Sequence, residues 1–264
     1  MTFENDGAQL IYDVRGSGLP VVLLHPFPAN HHFWDGCTPY LEDRYRLILP
    51  NLRAHGDSSP GTGAATMEKH ARDVAALCDH LQIGKAAFVG VSIGGYVLFE
   101  FWRQFRERVA ALVLADTRAE ADSDEAREGR QESIQQVQER GPGPLIEALI
   151  PKLLGESTLR NRPDMVDSAR ALMSGMTVEG FVAALQGLAA RPDSVPTLRS
   201  IAVPVLIVLG EEDVSTPRSA AELMAQRMHA SRLEIVPRAG HYAAFEQPEV
   251  FGKLLRKWLD GLVL

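Results

Sequence analysis

Ala86-Ala87-Phe88-Val89-Gly90-Val91-Ser92-Ile93-Gly94-Gly95 is the stretch on which the fold turns. Its first four residues are apolar and read as a buried strand, whereas the residues from Ser92 through Phe101 and Phe105 carry the apolar repeat of a helix. A serine at such a junction sits on a sharp strand-to-helix turn, with its hydroxyl pushed out at the C-terminal edge of a sheet. The flanking glycines are needed because side chains there would collide with the neighbouring strand and helix. The helix start also leaves backbone N–H groups where negative charge would develop. The spacing nominates Ser92 as a nucleophile.

Outward from this turn, short β-branched and aliphatic runs alternate with longer helical stretches, the pattern of a mostly parallel sheet covered by helices on both faces. The runs are Val21–Leu24, Arg46–Leu49, Ala86–Val89, Ala111–Leu114, Val205–Leu209 and Leu233–Val236. Residues 8–14, with Gln9, Tyr12 and Asp13, read as an antiparallel edge strand. Thr66 is a candidate N-cap for a helix whose apolar phase is Met67, His70, Val74, Leu77, Cys78 and Leu81. From about residue 117 to 200 no strand pattern appears. Helices are expected near 122–140, 143–154, 163–174 and 177–190, with Gly141-Pro142-Gly143-Pro144 as a hinge. Such an insertion is expected to cover one end of the sheet, giving a core of 1–117 and 200–264 and a cap of 118–199. Glu120, Asp122, Asp124, Glu125, Arg127, Glu128, Arg130 and Glu132 at the start of the insertion read as a solvated face.

With 264 residues, 45% hydrophobic and 23% charged, the chain can bury a full core. A formal net charge of -7, with no Lys/Arg stripe, argues against a nucleic-acid partner. No apolar stretch reaches the roughly 20 residues that span a bilayer, so no membrane partner is expected. Met1-Thr2-Phe3-Glu4-Asn5-Asp6 lacks the basic start of a secretion signal, and a cytoplasmic location is expected. Cys37 and Cys78 form neither a disulfide framework nor a metal cluster.

A serine needs a base. Of eight histidines, His241 follows the last strand run and therefore lies at the same sheet edge as Ser92. His25 also ends a strand, His31, His32 and His55 lie in loops, and His70, His80 and His229 fall in helices. A carboxylate should orient the imidazole. Glu211, Glu212 and Asp213 all follow the run 205–209 directly. A serine, an acid and a histidine after three separate strands, in that order, follow the α/β-hydrolase arrangement rather than the chymotrypsin or subtilisin one.

The sequence resembles the α/β-hydrolase superfamily over nearly its whole length, and especially small bacterial carboxylesterases with a helical cap. The likeness runs through Leu23-Leu24-His25-Pro26-Phe27-Pro28, Asn51-Leu52-Arg53-Ala54-His55-Gly56-Asp57-Ser58, the serine turn, Gly210-Glu211-Glu212-Asp213 and Gly240-His241. Asp116-Thr117-Arg118-Ala119 with Ala190-Arg191-Pro192-Asp193-Ser194 resembles an esterase branch that includes enol-lactone hydrolases. The resemblance implies an eight-stranded, mostly parallel sheet, Asp213 as the acid, and backbone N–H groups of Phe27 and Ile93 as an oxyanion hole. Phe27 is the only N–H donor between Pro26 and Pro28. Two positions depart from the family: His25-Pro26 stands for His-Gly, and Asn51-Leu52-Arg53-Ala54 for Asp-x-Arg-Gly.

The implied function is hydrolysis of a small carboxylic ester through an acyl-enzyme on Ser92, with His241 as base and no metal or organic cofactor. Trp34, Val214 and Tyr242 are expected to line the substrate site together with Phe27 and Ile93. The same site would open a lactone or enol-lactone, or pass an acyl group to peroxide. A non-catalytic ligand-binding receptor on the same fold is the alternative outside enzymes.

Overall fold

A computed structural model describes residues 1–262. Eight strands, β1 (Thr2–Asn5), β2 (Ala8–Arg15), β3 (Leu19–Leu24), β4 (Tyr45–Pro50), β5 (Ala86–Val91), β6 (Val109–Ala115), β7 (Val205–Gly210) and β8 (Ser231–Val236), form one sheet. Their order is β1-β2-β4-β3-β5-β6-β7-β8. From β4 to β8 across the sheet the pairings are parallel, while β2 runs antiparallel to both β1 and β4. The antiparallel reading of residues 8–14 holds, but β2 is not the edge. Thr2–Asn5 pairs outside it, and a four-residue strand without strict alternation carries too little pattern to be read alone.

The apolar runs are strands because both faces are covered. All six residues of β5 are buried. Val21, Leu23, Ala87, Val89, Ala111, Val113, Leu206 and Val208 belong to one core cluster, and their neighbours Val22, Leu24, Phe88, Leu112, Leu114 and Ile207 to the other. Strand alternation thus divides each run between two layers. Each fully buried aliphatic side chain contributes about 1.5–3 kcal/mol.

The second layer holds α1 (Met67–His80), α2 (Ile93–Phe105) and α9 (Arg218–Arg227). Thr66 caps α1, its hydroxyl accepting from the Lys69 N–H at 3.3 Å. The first layer holds α11 (Pro248–Asp260), which buries Phe251, Leu255 and Leu259 at four-residue spacing, and the one-turn α10 (Ala243–Glu246).

Between β6 and β7 the chain makes six helices: α3 (Asp124–Arg140), α4 (Gly143–Leu153), α5 (Glu156–Asn161), α6 (Pro163–Met173), α7 (Val178–Ala189) and α8 (Val195–Leu198). Four match the expected segments within two residues; α5 and α8, of six and four residues, are too short to show a helical repeat. The two ends of the insertion meet, since Ser194 N–H donates to Ala119 O at 2.8 Å and Arg191 Nη2 pairs with Asp122 at 2.8 Å. No single described helix is long and apolar enough to cross a membrane.

Candidate active site

Ser92 connects β5 to α2 with φ 53° and ψ -113°, a left-handed conformation that costs a non-glycine residue about 1–3 kcal/mol. Its neighbours hold it there. Ser92 N–H donates to Ala115 O at 3.0 Å, and the Thr117 hydroxyl donates to Ser92 O at 2.8 Å, so β6 pins the turn from the side. The flanking glycines are demanded by close approach. A Cβ at position 90 would lie 2.4 Å from the Gly94 carbonyl carbon, and one at 94 would lie 2.5 Å from Leu24 O.

His241 follows β8, and its Nδ1 lies 2.9 Å from Asp213 Oδ2. Both side chains are almost wholly buried, 5% and 0% exposed. The other Asp213 oxygen accepts N–H bonds from Ser215 at 2.7 Å and Thr216 at 2.9 Å, which fixes the carboxylate. With Oδ2 facing it, Nδ1 is assigned the proton, leaving Nε2 as the free lone pair. The rival acids face elsewhere: Glu211 accepts from Arg238 N–H and Glu212 from Ser157 N–H.

Two further carboxyls surround this pair. Asp116, at the end of β6, is wholly buried and accepts from Gly210 N–H at 2.7 Å. Burial, reinforced by repulsion from Asp213, holds its pKa well above the ordinary aspartate value. Glu246 accepts N–H bonds from Gly155 and Gly240, both at 2.8 Å, tying the loop before His241 to the insertion; burial raises its pKa. A buried glutamate in Ala243-Ala244-Phe245-Glu246 has no motif, so its role emerges only from contacts.

Ser92 and His241 open into one cavity of about 370 Å³. Phe27, Tyr96 and Thr216 complete the sheet side, and Leu145, Leu149, Leu153, Leu185 and Leu188 reach in from α4 and α7. Phe27 and Ile93 flank the serine, and among the described residues neither backbone N–H donates to a protein acceptor. The loop carrying Phe27 is held from below. His25 accepts from Leu52 N–H at 2.9 Å, and the Tyr242 hydroxyl donates to Phe27 O at 3.1 Å.

Of the five residues expected to line the substrate site only Phe27 does: Ile93 is fully buried, and Trp34, Tyr242 and Val214 lie elsewhere. Trp34 is fully buried against Phe33 and Phe251 in the layer beneath the sheet. Tyr242 is equally buried and supports the Phe27 loop rather than facing the space. Val214 is 73% exposed and points to solvent; its neighbours Ser215 and Thr216 form the wall instead. The lining leucines were present in the sequence as a four-residue stripe on α4, which says that a face is covered but not by what.

His25, His55 and His70 are completely buried with ring centroids 5.1 and 6.1 Å apart. Burial pulls all three below the ordinary histidine range, His55 to about 4. They are neutral packing groups, and among the described histidines only His241 lines the cavity.

Residues 20–248 match the family model of the alpha/beta hydrolase fold. The chain belongs to the α/β-hydrolase family. It is 41% identical to a thermophilic esterase from Thermogutta terrifontis, solved with malate bound, over 96% of this chain and 93% of that one, with a TM-score of 0.93. It is 29% identical to 3-oxoadipate enol-lactonase 2 of Acinetobacter baylyi over 88% of this chain and 85% of that protein. A pimeloyl-[acyl-carrier protein] methyl ester esterase of Neisseria meningitidis is 28% identical over 92% of this chain and 77% of its own length. These hydrolase relatives are named for cleaving esters or lactones.

Proposed function

We propose that this α/β-hydrolase is a serine carboxylesterase acting on small carboxylic esters through an acyl-enzyme on Ser92. The observation that carries the reading is the 2.9 Å His241–Asp213 contact opening into the same cavity as a serine held in a strained turn. His241 Nε2 takes the hydroxyl proton as Ser92 Oγ bonds to the carbonyl carbon. The N–H groups of Phe27 and Ile93 receive the oxyanion; each such donor is worth roughly 2.7–4 kcal/mol in the transition state. Collapse expels the alcohol, which carries away the proton held by His241. Water, deprotonated by the same imidazole, then splits the acyl-enzyme into acid and free Ser92. The helices of 118–199 act as a cap that excludes bulk water, over a core of 1–117 and 200–264.

The enol-lactonase relative favours a second substrate form, a cyclic ester opened at the same serine. Turnover of short p-nitrophenyl esters against simple lactones separates the two. Replacing Ser92 by Ala should lower ester turnover at least about a thousandfold and abolish labelling by a fluorophosphonate. A Ser92→Ala protein as active as the parent would end the proposal.

A further inference from the structure

The chain carries a net charge of -7, yet the cavity wall is cationic. Its charged residues are Arg118, Arg130, Lys152 and a single acid, Asp122. Asp122 is already committed. It accepts from Arg130 and pairs at 2.8 Å with Arg191, which lies behind the wall, buried, with its guanidinium 4.1 Å from the centre of the Tyr96 ring.

Arg118 and Lys152 remain, and neither meets a carboxylate among the described residues. Both line the cavity, on segments joined through Ser215. Arg118 Nη2 donates to Ser215 O, and the Ser215 hydroxyl donates to the backbone carbonyl of Lys152 at 2.7 Å. Ser215 in turn donates its N–H to Asp213, so these segments are tied to the loop that holds the acid of the site. One backbone acceptor occupies one of five guanidinium donors, leaving a half-buried fork open towards the cavity. A planar fork and an ammonium on the wall of one cavity suit a carboxylate, which can accept from either. The leucines of α4 and α7 keep part of the surrounding space apolar, where such a pairing is stronger than in open water.

We propose that Arg118 and Lys152 bind a carboxylate on the substrate, so that the preferred substrates are half-esters of dicarboxylic acids or lactones bearing a carboxylate. This rests on Ser92 being the nucleophile and names what that nucleophile is offered. The bound charge is remote from the reacting carbonyl and is present before and during the reaction, so its recognition falls mainly on KM.

Hydrolysis of monomethyl glutarate and dimethyl glutarate, followed by proton release, tests the assignment. The parent enzyme should favour the half-ester in kcat/KM by about tenfold at low salt, and the ratio should fall towards one in about 0.5 M salt. In Arg118→Gln/Lys152→Gln the ratio should drop to near one through KM, Arg118→Lys should recover part of it, and Lys152→Glu on its exposed position should push it towards the diester. A parent ratio of one or less, or an undiminished ratio in the double variant, overturns the proposal while leaving the esterase reading intact. Unchanged hydrolysis of both esters by Ser92→Ala would instead overturn the esterase reading.

Discussion

The two walls of the cavity are built by different means. On the sheet side, Ser92, Asp213 and His241 stand at strand ends and are held by bonds to backbone: Ala115 and Thr117 at the serine, Ser215 and Thr216 at the aspartate, Glu246 through Gly240 at the histidine loop. On the inserted side the wall combines leucine side chains from α4 and α7 with Ser133 of α3 and the cations Arg118, Arg130 and Lys152, and its polar pairing is concentrated where the insertion leaves and rejoins the core, at Asp122, Arg130 and Arg191. Strand ends cannot shift without breaking the sheet, so they suit chemistry that fails with small misplacement. Helix faces packed by aliphatic side chains tolerate exchange of one residue for another, so they suit the setting of shape.

Substitutions on the two sides should therefore differ in size and in which constant they move. The largest effect is expected from Asp213→Asn, which keeps the shape but removes the charge and allows the imidazole to turn its proton the wrong way. The kcat for p-nitrophenyl acetate should fall by about 10⁴-fold. A loss below about tenfold would mean that the sheet wall is less committed than its hydrogen bonds imply.

Next in size is Gly94→Ala. The new methyl would stand 2.5 Å from Leu24 O, against backbone that belongs to β3, and urea unfolding should show a loss of about 3 kcal/mol. An unaltered midpoint would show that the serine turn has room the close approach denies.

Acid should strike the sheet side from beneath the Phe27 loop. His55, packed edge-on against Phe27 at 5.8 Å, stays neutral in the fold down to about 4, whereas the unfolded chain takes up that proton near the ordinary value of 6.5. Its contribution to stability is complete above 6.5 and is lost as pH falls from there towards 4, by about 1.4 kcal/mol for each pH unit well inside that window. Asp116, with its pKa raised, pulls the other way, so the difference between parent and His55→Gln is the informative quantity. Urea midpoints from neutral to acid pH should fall less steeply in the variant, and parallel curves would contradict the assignment.

The smallest effect belongs to the inserted wall. Leu149→Ala removes a half-buried side chain at the cavity and should cost about 1 kcal/mol of stability, while raising KM for longer acyl chains more than it alters kcat. A kcat loss comparable to that of Asp213→Asn would erase the distinction between the walls.

Much of the core was legible because its signals are local. The run Ala86–Val89 followed by Gly-Val-Ser-Ile-Gly dictates a strand, a tight turn and a helix, since the apolar periods change at the serine and each glycine answers a contact within a few residues or on the adjoining strand. Thr66 and the apolar phase of α1 were legible for the same reason. Trp34, Val214 and Tyr242 were misplaced because an aromatic or aliphatic residue near a strand end has the same appearance whether it faces a cavity, the core or solvent.

The sequence by itself determined the alternation of strands and helices, the inserted helical stretch, and the candidate serine, acid and histidine, because hydrophobic period and strand-end position are properties of neighbouring residues. Only the tertiary structure decided that Asp213 rather than Glu211 or Glu212 meets His241, that Asp116 and Glu246 are buried beside them, and that Arg118 and Lys152 line the same cavity as Ser92. Those outcomes depend on where separate strands and helices come to lie together in space, and no local pattern encodes that distance.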